Sequence, residues 1–118
     1  MDLEILSFNY MVKSNDSLSL VYFALSDPTR RQILEHVSRF EMSVGEIVDK
    51  FKLSFAAISK HVTVLEQAQL VAKQRRGKEK VVVFLPGALG NAQVDIEQYK
   101  ALWESRFDRL EALLKEEQ

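Results

Sequence analysis

The side chains able to do chemistry in this 118-residue chain are concentrated between residues 54 and 80. That stretch reads SFAAISKHVTVLEQAQLVAKQRRGKEK. It carries six Lys+Arg against two Asp+Glu, or +4. Residues 1–53 carry 6 against 8, and residues 88–118 carry 4 against 7, so the whole chain has a formal charge of −1. A basic block in such a chain fits a polyanion partner; on charge alone it equally fits a solvated surface. Other chemistries find little to work with. There is no cysteine, which excludes disulfides, thiolate metal sites and thiol nucleophiles. His36 and His61 lie 25 positions apart, on separate predicted helices, and form no triad. Asp95 and Glu97 read as helix-surface carboxylates rather than an acid/base pair. No glycine-rich phosphate loop is present. The sequence therefore nominates no catalytic residue, no metal ligand set and no cofactor, and an enzyme is the weakest reading.

The totals set the frame for that block. Apolar residues make up 47% and charged residues 28% of the chain, the composition of one soluble domain with a modest core. No apolar run reaches the ~20 residues of a membrane helix. The start, MDLEILSFNY, places Asp2 and Glu4 where a signal peptide would be basic. These features together predict a cytoplasmic protein with no membrane partner.

The elements that position the basic block follow from spacing and caps. Leu18, Val21, Tyr22 and Leu25 recur at helical intervals, so SLSLVYFAL predicts a first helix. Asp27-Pro28 is a start signal for a second, from about Pro28 to Arg39, with Ile33, Leu34 and Val37 inward. Ser43-Val44-Gly45-Glu46 has the form of a capping box opening a short third helix, with Val44, Ile47, Val48 and Phe51 apolar. About three residues later Ser54 can cap a fourth helix, reaching about Ala68. Two short helices joined so tightly predict a helix-turn-helix. LVAKQ and KVVVFL then flank RRGK, a β-hairpin over 70–85 with a basic tip in which Gly77 permits the turn. Pro86-Gly87 closes it. From about Asn91 to residue 116 the chain predicts one helix, with Ile96, Tyr99, Trp103, Phe107, Leu110 and Leu114 as an apolar stripe. The expected fold is mainly α with a small β-hairpin: a winged helix-turn-helix of about five helices and a two-stranded wing. Residues 1–17 form an N-terminal extension of unassigned role, and 18–118 the domain.

The fourth helix has two sides. At about 100° per residue, Phe55, Ile58, Val62 and Leu65 fall within an arc of about 80°, the expected core face. Ala56, Ser59, Lys60 and Thr63 fall opposite. They are small or polar and allow a backbone or base edge to approach. Lys60 can pair with phosphate, and Ser59 and Thr63 can hydrogen-bond bases or phosphates. Ser54 and the free N–H groups of the first turn suit an anion. His61 falls at the edge of the core arc, where it has two readings, DNA contact or a hydrogen-bonded structural residue. An ordinary solvated helix surface is the simpler reading of the polar face. The following hairpin, whose tip carries Arg75, Arg76 and Lys78, shifts the balance towards double-stranded DNA: a recognition helix in the major groove and a tip on backbone or minor groove.

ALSDPTRRQIL, SVGEI, SFAAISKHVTVLEQAQLV and RRGK occur in the order and spacing that resembles ArsR-type winged helix-turn-helix repressors, over residues 11–118. The resemblance implies a homodimeric DNA-binding repressor whose first and last helices form the dimer interface. That places Leu18, Tyr22, Tyr99, Trp103, Phe107, Leu110 and Leu114 at or near the interface; the simpler reading is that they close a monomer core. QYKALWESRFDRLEALL resembles a subgroup ending in a long helix. Many relatives sense metal through ELCVCD; here the matching stretch is Glu41-Met42-Ser43-Val44-Gly45-Glu46, and Ser43 and Gly45 replace both cysteines. A second family metal site uses Asp and His on the last helix, where this chain has no His. The metal-sensor reading therefore fails. Thr63 stands where relatives often have Lys or Arg, and Gln69 where they usually have Gly. A left-handed Gln69 would carry a strain of about 1 kcal/mol. The first ten residues precede the usual family start near Met11; the two readings are a real extension, whose Leu3, Ile5, Leu6 and Phe8 could pack on the dimer, and a mis-assigned start codon. The competing function is a winged-helix interaction module that docks a protein without sequence-specific DNA binding. The inducer stays open between a small apolar ligand in the dimer cleft, a partner protein and no ligand at all.

Overall fold

The computed structural model describes residues 16–116. Any packing of Leu3, Ile5, Leu6 and Phe8 on the dimer, and most of the 1–17 extension, lie outside the described residues. Five helices and three short strands follow in the order α1 (Ser17–Leu25), α2 (Pro28–Arg39), β1 (Met42–Ser43), α3 (Val44–Val48), α4 (Phe55–Gln67), β2 (Val71–Arg76), β3 (Glu79–Phe84) and α5 (Gly87–Glu116). The strands form one antiparallel sheet in the order β1-β3-β2.

Local chemistry starts each helix. Asp16 caps α1 by accepting from the Ser19 N–H at 3.0 Å and the Ser19 hydroxyl at 2.6 Å, and these bonds hold its carboxyl below its ordinary value. Asp27 caps α2 by accepting from the N–H groups of Thr29 and Arg30, with Pro28 at the first helical position. Ser43 and Glu46 close the reciprocal capping box of α3, and the Ser43 N–H bond lowers the Glu46 carboxyl. Ser54 caps α4 through the Ala57 N–H.

Apolar side chains of α2, α3, α4 and the base of the sheet meet in one core. Ile33, Ile47, Ile58, Val62, Leu65, Leu70, Val71 and Val82 are its fully buried members. From α1 come Leu20, Val21 and Ala24, and from α5 only Ala92 is buried. His36 packs edge-on against Phe51, with ring centroids 5.8 Å apart, and pins the turn after α3 to α2.

The structure corrects several sequence expectations. The sheet has a third strand, because Met42 and Ser43 pair with Val82 and Val81. A two-residue strand is too short to show alternation. Helix α3 ends at Val48, so the turn to α4 is longer than expected. The intervening bonds from Lys50 N–H to Ile47 and from Phe51 N–H to Val48 span three residues, which tightens the chain out of α-geometry. Helix α5 starts at Gly87 rather than near Asn91: the Pro86 carbonyl already accepts from the Gly90 N–H, so the residues that end the hairpin also begin the helix.

After α4 the chain turns through a full Schellman motif. Leu70 N–H donates to Leu65 O and Gln69 N–H to Glu66 O, both at 3.0 Å, and Leu70 and Leu65 are both buried. The left-handed position is Gln69, at φ 60°. A side chain there costs about 1–2 kcal/mol, of which about 0.4–1 kcal/mol is returned by glycine's freer unfolded state. Gln69→Gly is thus expected to stabilise the fold by about 0.5–1 kcal/mol. Thermal unfolding checks this, and a lowered midpoint would contradict it.

Candidate nucleic-acid interface

Helix α4 presents its polar side outward from the core. Ser54, Ala56 and Lys60 are exposed, and Ser59 is half-buried. Lys60 has no ion-pair partner among the described residues. The Thr63 hydroxyl donates to the Ser59 carbonyl at 2.9 Å within the helix, so it keeps only acceptor capacity for a partner. Phe55 departs from the sequence reading. It lies in the apolar arc of the wheel, yet it is 60% exposed, because the first turn of α4 projects past the core that Ile58, Val62 and Leu65 fill.

His61 is half-buried, and its Nδ1 sits 3.3 Å from the Arg30 guanidinium. A guanidinium can only donate, so Nδ1 accepts and the ring proton resides on Nε2. His61 is therefore tied into the fold at one nitrogen and keeps a donor at the other. Arg30 was not singled out from the sequence. It is 2% exposed, and it also donates from Nε to Ala24 O and from its other terminal nitrogen to Phe23 O, each at 2.9 Å. Its guanidinium lies 4.9 Å from the centroid of the Phe23 ring. Neighbouring Arg31 donates to Leu25 O at 2.7 Å. Two arginines of α2 thus cap the carbonyl end of α1, and one of them reaches on to α4. The sequence did carry a signal: Arg30, Ile33, Leu34 and Val37 share one face at helical spacing.

The hairpin supplies the second basic surface. Gly77, at φ 63°, opens its two-residue turn, and nothing lies within 4 Å of where a Cβ would sit. The residue is needed for backbone freedom rather than space. Pairing runs from Val71↔Phe84 to Arg76↔Glu79. Alternation puts Val71, Lys73 and Arg75 on one face with Phe84, Val82 and Lys80. That face lies on the core at its base, through Val71 and Val82, and is basic at its tip, where Arg75 pairs with Lys80. Like charges directly opposite repel, and an anion between them would remove the cost. Lys80 escaped the sequence reading because its place depends on strand register. Arg76 projects to the other face and forks onto Glu41 at 3.2 and 3.0 Å, tying the wing to the segment before β1. Lys73 pairs loosely with Glu66 of α4 at 3.9 Å. Arg75, Lys78 and Lys80 have no ion-pair partner among the described residues.

The residues expected at a dimer interface separate into two groups. Leu18 is partly buried against the core, while Tyr22 is 37% exposed on α1. Partial burial, then Tyr99 and Asp95 of α5, raise the Tyr22 phenol above its ordinary value. Tyr99, Trp103, Phe107, Leu110 and Leu114 are each more than half exposed, so they do not close the core of one chain. Among the described residues no group of three or more His, Asp or Glu side chains converges as a metal site, and no helix is long and apolar enough to cross a membrane.

Comparison with known proteins gives a consistent answer. Residues 27–73 match the bacterial regulatory protein, arsR family. The chain is 40% identical to the transcriptional repressor SdpR of Bacillus subtilis (strain 168) over 49% of its own length and 64% of that protein's, just short of two thirds of it. It is 40% identical to the HTH-type transcriptional regulator YuzN of the same organism, over 59% of this chain and 84% of that one. The solved ArsR-like transcriptional regulator from Rhodococcus sp. RHA1 superposes with a TM-score of 0.75 at 28% identity, covering 86% of this chain and 95% of that one. With its winged helix-turn-helix, its capped α4 and its basic wing, the chain belongs to the ArsR family of bacterial transcriptional regulators.

Proposed function

We propose that this protein is a homodimeric, cytoplasmic transcriptional repressor that binds a two-fold symmetric operator. Helix α4 enters the major groove, and the wing tip lies on flanking phosphates. The observation that carries this reading is the basic surface of Lys60, Arg75, Lys78 and Lys80, without ion-pair partners among the described residues, in a chain of net charge −1, with two of its cations held side by side across the hairpin. The repressor role is carried over from SdpR, which is named as one. Dimerisation is supported by the long apolar stripe of α5, which the other described residues leave uncovered. Half-sites are then read about one DNA turn, ~34 Å, apart.

Within this interface the cations divide by task. Arg75, Lys78 and Lys80 meet phosphates, which carry no sequence information, and Lys60 anchors α4 in its groove. Ser59, Ala56 and the cap region of Ser54 lie against base edges or backbone. His61 offers its Nε2–H to the same surface from a ring oriented by Arg30, and Thr63 contributes an acceptor. Arg76 is already neutralised by Glu41 and acts chiefly by holding the wing.

Binding to the upstream DNA of the protein's own gene tests this across a salt series. Lys60→Ala is expected to weaken specific binding. Arg75→Ala is expected to weaken all sequences and to reduce the slope of log K against log salt by about 0.9 for each phosphate the dimer no longer neutralises. Arg76→Ala is expected to change that slope less. Folded protein that binds no DNA at low salt would remove this reading and favour the protein-docking module instead.

A further inference from the structure

The first turn of α4 is unusual for a surface expected to read bases by hydrogen bonds. Its outward residues are Phe55 and Ala56, and Phe55 is the only large side chain there. Two hydroxyls of this face are partly engaged within the helix: the Ser54 hydroxyl accepts from the Ala57 N–H at 3.1 Å and keeps its donor, and the Thr63 hydroxyl donates to Ser59 O and keeps its acceptor capacity. Phe55 is 60% exposed, whereas Ile58, Val62 and Leu65 of the same helix are fully buried. Leu53, two residues earlier in the turn, is also exposed. Lys52, three residues before Phe55, and Lys60, five residues after it, are both exposed. An aromatic tip on a surface that also carries exposed cations complements a groove edged by phosphates and floored by an apolar group.

In a helix-turn-helix, the N-terminal residues of the second helix touch the base edges. The one apolar feature of the major groove is the C5-methyl group of thymine. We infer that Phe55 is a specificity-determining residue that reads a thymine methyl in each half-site, with Ala56 leaving room for the approach. This rests on the reading of α4 as the groove-entering helix. It predicts an operator whose half-site holds an A·T pair of fixed orientation at the position under Phe55. Direct readout there is of shape and methyl rather than of donor and acceptor pattern.

The test uses the full-length protein. An operator is selected from random double-stranded DNA, and each half-site thymine is then replaced in turn by deoxyuridine. That change removes the methyl and keeps every hydrogen bond. Wild type is expected to lose roughly fourfold in affinity per methyl at one or two positions, about the worth of one buried methyl group. Phe55→Ala, present in both subunits, is expected to bind the thymine operator with about that loss in each half-site, roughly 16-fold together, and to be indifferent to uracil at those positions. Phe55→Leu is expected to retain part of the discrimination. Phe55 is exposed, so all variants should unfold at the wild-type temperature, which separates lost readout from lost fold. Two results overturn the inference alone: wild type that binds a selected operator but ignores every methyl, or Phe55→Ala that keeps wild-type methyl sensitivity. Failure to select any operator overturns the groove-entering reading as well, and so is told apart from the other two.

Discussion

Trp103→Glu is expected to convert the protein from dimer to monomer and to lower operator affinity roughly 100-fold or more. Trp103 stands at the centre of the α5 stripe, edge-on to Phe107 at 5.3 Å between ring centroids. Both rings are more than half exposed in the single chain. In the proposed dimer they are covered by the partner's α5, and a carboxylate in their place is desolvated without a countercharge. The affinity follows from arithmetic rather than from contacts. Two linked reading heads bind as one unit, and separating them removes an avidity of about 10²–10⁴. Light scattering or sedimentation reads the assembly, and anisotropy on operator DNA reads the affinity. Because this stretch of α5 is uncovered by the other described residues, the monomer should keep its winged domain, visible as an intact thermal transition. Trp103→Leu should remain dimeric. A dimeric Trp103→Glu variant, or a monomeric wild type with tight operator binding, would contradict the proposal.

Arg30→Ala is expected to be the most damaging change to the fold, at about 3 kcal/mol. It removes a buried guanidinium and strands the carbonyls of Phe23 and Ala24 together with the His61 Nδ1. Each orphaned group costs about 1–3 kcal/mol, partly offset because a charge no longer has to be kept from water. For a domain of this size the midpoint should fall by more than ~10 °C. Arg30→Lys keeps the charge but lacks the fork that serves three acceptors on two elements, so it should recover only part of the loss. A shift of only one or two degrees for Arg30→Ala would show that the network is incidental. In the proposed interface, operator binding should also weaken under conditions where the variant stays folded, because Arg30 holds the His61 ring at Nδ1.

How much of this was legible in sequence depends on the range of the forces involved. Asp27-Pro28, Ser43 with Glu46, and Ser54 were readable as caps because each acts within three residues of itself. The stripe of α5 was readable because a single period of spacing expresses it. The glycine usual in relatives at the position of Gln69 raised the question of a left-handed turn, and the φ of 60° answers it. Other features needed three dimensions. Phe55 has the wheel angle of a core residue, but a wheel does not say where along its axis a helix leaves the core. Arg30 shares the buried stripe of α2, yet its charge hides it until the carbonyl end of α1 is seen arriving beside it. Lys80 joined the candidate interface only through the strand register that sets it opposite Arg75. Strand β1 was invisible because two residues have no period. The candidate interface divides the same way: its basic and polar residues stand out in the chain, while the bonds of His61, Thr63 and Arg76 are made to partners distant in sequence or within their own helix.

The passage from β3 to α5 has a mechanical meaning. Only Leu85 and Pro86 separate the end of the wing from the start of the long helix, and the Leu85 N–H is clamped to Leu70 O at 2.9 Å, at the opposite root of the hairpin. So short a coupling has no slack. In the proposed dimer, a change in the angle of α5 would therefore be passed to the wing of the same chain rather than absorbed in a loop.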